Sequence, residues 1–369
     1  MNKKCYNFFE MGKRKPSYYE ESNRKRFEEL SGRLKSLPFF CREYFIGIEP
    51  RTSVLTRLNY ARDLEIFFHF LHDNVAGFEY IGIDELTMTD LEKIKTSDIE
   101  YFLSYITYYE HNGIRYANGE KAKARKLSAV RSMLRYFYNK DKLSKNVASK
   151  VATPKLHEKE IIRLNDHEVK TLLDAAESEK KFETPHKDAY NLNTRERDAA
   201  ILTLFLGTGI RVSELVGLNV TDINTEENAF TVTRKGGNRT TLYYSPEVGE
   251  ALSKYIKTRE KRLFEAGDTA EDALFLSLRN KRLCVRAVQN LVKKYTGTVN
   301  PLKEVSPHKL RSTYGTALYR ETKDIYVVAE VLGHRDVNTT KKHYAAISED
   351  IKREASSRHI LRSQDKNKK

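Results

Sequence analysis

The chain has 369 residues, 39% of them hydrophobic and 32% charged, so it can bury two or three cores and is not a disordered tail. Its longest apolar run, Ala199 to Leu206, is far short of the ~20 residues a membrane-spanning helix needs. Lys and Arg outnumber Asp and Glu by 66 to 51, and the net charge of +15 points to an anionic partner, nucleic acid before a membrane surface. No apolar stretch follows the basic start MNKKCYNFFEMGKRKP, so no signal peptide is expected. Cys5, Cys41 and Cys284 have no CxxC spacing, which argues against a disulfide framework or a zinc cluster and fits a reducing cytosol.

The N-terminal part reads as helical. Residues 54–72 place Leu58, Tyr60, Ala61, Leu64, Phe67, Phe68 and Leu71 on one helix face. A second helix is expected to begin near Ser97, capped by Glu100, with Ile99, Phe102, Leu103 and Ile106 inward. A third, residues 121–138, turns Leu127, Val130, Leu134 and Phe137 inward and leaves Lys121, Lys123, Arg125, Lys126, Arg131 and Arg135 largely on its other sides. Residues 121–150 hold ten basic residues and one acidic residue, whereas 51–100 hold five basic and ten acidic. A basic stripe so short of acidic partners suits contact with a phosphate backbone, although a solvated helix face explains it too.

Residues 145–162 are polar, aperiodic and contain Pro154, and read as a linker. Asn165 and Glu168 mark the start of the next helix. Residues 177–197, highly charged and carrying Pro185, read as a loop or insertion. A buried helix then ends at Gly207-Thr208-Gly209, with Arg211 at the N-terminus of the helix that follows, a place that favours an anion. Residues 229–233 and 239–244 alternate like strands around Lys235-Gly236-Gly237-Asn238, a hairpin signal. Ser306 and Pro307 start a helix that carries His308 and Arg311 on one face of its first turn, where an imidazole and a guanidinium converge. Gly333 closes another helix, His334 follows it, Asn338 can cap the next and Tyr344 lies on that one. Taken alone, Arg211 is also readable as a surface arginine, His308 as a cap and Tyr344 as packing. The spacing of His308, His334 and His343 matches no zinc pattern.

The ordered set G-T-G-I-R-V-S-E-L, K-G-G-N-R, H-K-L-R and L-G-H-(x9)-Y resembles the tyrosine recombinase, or phage integrase, family of Xer-like site-specific recombinases, from roughly Phe45 onward. The resemblance implies a mainly α fold with a small antiparallel β-sheet. A helical, SAM-like core-binding domain (41–148) would follow an N-terminal extension (1–40). A linker (149–162), an α+β catalytic domain (163–347) and a C-terminal helix with a basic tail (348–369) would complete it. It also implies a catalytic set: Arg211 and Arg311 clamping the phosphate, Lys235 as general acid, His308 and His334 at the histidine positions, Tyr344 as nucleophile and Glu214 supporting the first arginine. Ser312 departs from the pattern, since many relatives have histidine after the second arginine. The implied reaction cuts and rejoins double-stranded DNA through a 3′-phosphotyrosyl intermediate without metal, ATP or other cofactor. It would serve a mobile element or chromosome-dimer resolution. The working form would be a homotetramer on two DNA sites, joined by exchange of C-terminal helices in a bacterial, nucleoid-associated cytoplasm. The rival readings are DNA relaxation of the type IB topoisomerase kind and a non-catalytic DNA-binding protein of the same fold.

Overall fold

The computed structural model describes residues 16–155, 162–178, 185–234, 236–267, 271–333 and 337. The chain divides into two compact units, Met1–Glu158 and Lys159–Lys369.

The first unit is built from helices α1 (Tyr18–Arg33), α2 (Phe40–Gly47), α3 (Val54–Asn74), α4 (Met88–Lys93), α5 (Thr96–Tyr105) and α6 (Glu120–Tyr138). The apolar faces expected of α3 and α6 go inward: Leu58, Leu64, Phe67, Phe68, Leu71, Leu127, Val130, Leu134 and Phe137 are all buried in one core. Three features depart from the sequence reading. First, α1 packs on α3. Leu30 and Leu37 join the core, and Arg33 and Arg62 bind Glu65 and Glu29 at 2.5 and 2.7 Å, so residues 18–40 belong to this unit rather than to a separate extension. The dense charge of α1 hides its single buried edge. Second, α5 starts at Thr96, because Asp98 rather than Glu100 reaches back to the Lys95 N–H at 2.8 Å. Third, strands β1 (Tyr108–His111) and β2 (Ile114–Ala117) form an antiparallel hairpin turned by Asn112 (φ 51°) and Gly113 (φ 73°). Asn-Gly is the usual pair for such a turn. Both strands are mostly exposed, so no apolar alternation announces them.

The basic stripe on α6 does have an acidic partner. Asp63 of α3 is buried, receives a hydrogen bond from Arg125 and lies 4.0 Å from the buried Lys126 ammonium. Burial pushes the Asp63 pKa up, against the pull of Arg125, and pushes that of Lys126 down. Each charge is therefore tolerated only because the other is there.

The second unit contains α7 (Asp166–Glu177), α8 (Pro185–Thr208), α9 (Val212–Gly217), α10 (Pro246–Glu265), α11 (Val285–Val299), α12 (Pro307–Thr322) and α13 (Ile325–Leu332). The sheet β3 (Ile223–Asn224), β4 (Ala229–Thr233) and β5 (Arg239–Tyr243) is antiparallel in the order β3-β4-β5. The charged stretch read as a loop is largely the first half of α8. Pro185 is its opening residue, where proline fits a helix. Arg197 is buried yet satisfied, with Nε and Nη2 on Asp198 at 2.9 and 2.7 Å and Nη1 on the Leu276 carbonyl at 2.9 Å. The apolar half of α8 (Leu202, Leu204, Phe205) shares the buried interior with Leu215, Phe230, Phe275, Val292 and Leu310. Among the described residues, no helix is long and apolar enough to cross a membrane.

Replacing Asp63 with Ala strands the Lys126 ammonium in the core. Urea denaturation is expected to show a loss of about 3–5 kcal/mol, whereas Lys121→Ala, at an exposed site on the same helix, should stay within about 0.5 kcal/mol of the parent chain.

Candidate active site

The site begins at the C-terminal end of α8. Gly209 has φ +62°, a left-handed conformation, and a Cβ there would stand 2.5 Å from Tyr314 and 2.9 Å from Leu332. Its tight turn carries the chain into α9 with Arg211 as the N-cap residue, in extended conformation. Three residues on, the buried Glu214 accepts from the Arg211 backbone N–H at 3.0 Å and from Arg211 Nη1 at 2.8 Å. One carboxylate thus caps the helix and aims the guanidinium.

The second arginine comes from α12. Ser306 and Pro307 start that helix as the sequence predicts, and Arg311 follows one turn later, buried. Its Nη1 donates to the Gly209 carbonyl and its Nη2 to the Leu332 carbonyl. Arg211 Nη2 donates to the Gly333 carbonyl at 3.1 Å and more weakly to that of Leu332 at 3.4 Å. Two guanidinia a hundred positions apart therefore meet at the last carbonyls of α13, the partly negative end of a helix. That helix is started by Asp324, whose carboxylate accepts the Tyr326 and Val327 N–H groups, and stopped by Gly333 at φ +60°. His308 is exposed on the first turn of α12, and its carbonyl accepts from Ser312 Oγ at 3.1 Å, which gives the unusual Ser312 a local role.

Lys235, His334 and Tyr344 lie outside the described residues, as do His343, Asn338 and the expected C-terminal helix. Their flanks are described. Arg234 N–H donates to the Asn238 carbonyl at 2.8 Å, which closes the hairpin in which Lys235 stands, and Gly236 and Gly237 both have positive φ. Arg234 is a residue that the sequence reading passed over. Its side chain sits against Gly333 and donates to the Val331 carbonyl at 3.4 Å. The one signal for it in the sequence is its place beside Lys235.

The Phage integrase family model matches residues 163–350, the region that contains this cluster. Tyrosine recombinase XerC of Caldanaerobacter subterraneus subsp. tengcongensis is 36% identical over 328 residues, covering 86% of this chain and 85% of the relative.

The chain belongs to the tyrosine recombinase family.

Solved structures agree in fold. XerH site-specific recombinase bound to palindromic difH substrate, a post-cleavage complex, superposes with a TM-score of 0.61 at 19% identity over 82% of this chain and 80% of that one. The Tn1549 transposon integrase with circular intermediate DNA gives 0.57 at 19% identity over 85% and 99%. As a tyrosine recombinase the chain is a DNA strand-transferase that carries out site-specific recombination, and the mainly α fold with small antiparallel sheets is that of the family.

The residues expected to bind DNA on α6 separate into two groups. Arg125 and Lys126 are tied to Asp63, and Lys123 lies 3.5 Å from Glu120. Arg131 donates to the Ala148 and Val151 carbonyls and to Thr153 at 2.7 Å, fastening the segment after α6. The partners of Arg125, Lys126 and Arg131 are not revealed by the local sequence, that of Lys123 is an i,i+3 neighbour, and Lys121 and Arg135 are exposed. Among the described residues, one group offers metal-type donors: Glu65, His69 and His111. Arg33 already holds the Glu65 carboxylate, and the two imidazoles meet edge-on with centroids 5.0 Å apart. Burial and the neighbouring His69 hold the His111 pKa below its usual range, and the His69–His111 ring contact joins the hairpin to α3.

Gly209→Ala combines left-handed strain with contact on Tyr314 and Leu332. It is expected to lower stability by about 1–3 kcal/mol in chemical denaturation; an unchanged midpoint would contradict the turn described here.

Proposed function

We propose that this tyrosine recombinase pairs two copies of a short duplex site and exchanges their strands through a covalent link from Tyr344 to the 3′ phosphate. What supports the reading most is the meeting of Arg211 and Arg311 on the Leu332 carbonyl, inside the family-matched region. A phosphodiester carries two nonbridging oxygens whose negative charge grows in the pentacoordinate transition state. Each guanidinium can donate two parallel hydrogen bonds to such an oxygen pair. Lysine would keep the charge and lose the fork.

In this proposal the Tyr344 oxygen attacks phosphorus, and the bond to the 5′ oxygen breaks. A phenol with a pKa near 10 needs help to lose its proton, and His308, exposed on the first turn of α12, is the proposed acceptor. Lys235 gives the departing 5′ oxygen its proton, and His334 hydrogen-bonds the phosphate. The phosphotyrosyl ester keeps the energy of the broken bond, so attack by a second 5′ hydroxyl reseals the strand without ATP. XerH recombinase has been solved bound to palindromic difH substrate and the Tn1549 transposon integrase in complex with circular intermediate DNA, which supports a DNA substrate here. Four protomers on two sites, linked through the segment after Tyr344, form the proposed assembly, working in the bacterial cytoplasm on the nucleoid. Relaxation of supercoils is not favoured, since the relatives are recombinases and integrases.

On a nicked suicide substrate, Tyr344→Phe should bind the duplex and yield no covalent adduct, and an adduct that persists would reassign the nucleophile. Arg211→Lys and Arg311→Lys should each slow adduct formation by about 10²–10³-fold. Because most contacts are expected at phosphates, affinity should fall steeply as salt rises; a flat titration between low and moderate salt would refute that.

A further inference from the structure

We propose that Arg234 is the positioning residue for Lys235, holding the base of the β4–β5 hairpin on the C-terminal end of α13. The proposal rests on the reading of Lys235 as general acid.

Three consecutive carbonyls at that helix end receive three arginines. Val331 accepts from Arg234, Leu332 from both Arg311 and Arg211, and Gly333 from Arg211. Arg234 is therefore tied, by one long bond of 3.4 Å, to the carbonyl next to those that gather the two proposed phosphate clamps. Its guanidinium also occupies the space a Cβ of residue 333 would fill, so the absence of a side chain at Gly333 is what lets it seat. Glu214, the partner of Arg211, pulls electrostatically on Arg234, while Arg211 opposes it. The anchor is costly to hold. Arg234 is half-buried, its Nε is buried with no hydrogen-bond partner, and burial lowers its pKa.

The backbone carries the consequence one residue onward. Arg234 N–H and C=O close the turn by bonding the Asn238 carbonyl and the Gly237 N–H at 2.8 and 3.0 Å. Gly236 and Gly237 turn the chain with positive φ, a conformation glycine allows, and Arg234 ties the base of that turn. Lys235 follows the tether directly. Arg234 donates to the Val331 carbonyl and stands next to Lys235 in the chain, so its effect should run through the proton that Lys235 delivers, and a leaving group that needs no proton separates this from direct contact with the phosphate.

That proton can be made unnecessary. In cleavage the P–O5′ bond breaks and the 5′ oxygen leaves with a proton from the lysine ammonium. With sulfur in place of the 5′ bridging oxygen, the P–S bond breaks and a thiolate, whose thiol has a pKa of only about 8.5, leaves unprotonated. Arg234→Ala, Arg234→Gln, Lys235→Ala and Arg211→Lys would be compared on single-site suicide duplexes with oxygen or sulfur at that position, with duplex affinity and unfolding midpoint measured alongside. On the oxygen substrate Lys235→Ala should lose about 10²–10⁴-fold in cleavage rate. Arg234→Ala should lose about 10–10²-fold there, and both variants should return to within about threefold of the parent chain on sulfur. Arg211→Lys should lose the same factor on both substrates, because the nonbridging oxygens are unchanged. If Arg234→Ala does not fold, Arg234→Gln is read by the same ratio. Equal losses for the Arg234 variants on both substrates, or no loss on oxygen, overturn the positioning role while a rescued Lys235→Ala leaves the general-acid reading standing. If Lys235→Ala is not rescued, that reading fails and the positioning role falls with it.

Discussion

The second unit depends on one arrangement: cationic side chains drawn from distant parts of the chain onto the terminal carbonyls of a single short helix. Two guanidinium charges about 4 Å apart would repel by roughly 4 kcal/mol at an effective dielectric of 20. The pair is tolerable because the end of α13 is partly negative and because buried Glu214 sits against Arg211. Arg311 has the backbone as its described partner at both ends of its fork, Gly209 on one side and Leu332 on the other. It is a strut between α8, α12 and α13 before it is anything chemical.

Much of the surrounding structure serves that strut. The left-handed turn at Gly209 presents its carbonyl to Arg311 and its bare Cα to Tyr314 and Leu332. A second left-handed glycine, Gly333, ends α13 where the carbonyls are needed and leaves room for Arg234. Glycine is required at both positions for two reasons at once, backbone conformation and close approach. The proline at the start of α12 and the aspartate at the start of α13 then fix where each helix begins, and so which turn carries Arg311 and which carbonyls are last.

Charge was the least transparent property of the sequence. The basic stripe of α6 has few acidic residues nearby in the chain, but Asp63 lies across the helix pair and takes two of its cations, and Arg131 serves as a backbone clip. Likewise the charged stretch before Thr208 is helix, because Arg197 and Asp198 neutralise each other when buried. Local sequence counts charges; tertiary packing decides which of them face water.

The order and spacing of the motifs were enough to determine the family, the helical faces of α3 and α6, the β4–β5 hairpin and the helix starts at Asn165 and Ser306. Those features rest on local rules of periodicity, capping and turn chemistry, which a single stretch of chain contains in full. Tertiary structure alone decided that Leu332 and Gly333 are acceptors for Arg211 and Arg311, that Arg234 joins them, and that α1 completes the first core. Backbone carbonyls carry no side-chain signature, and a contact between residues a hundred positions apart depends on how helices cross, which no local pattern encodes.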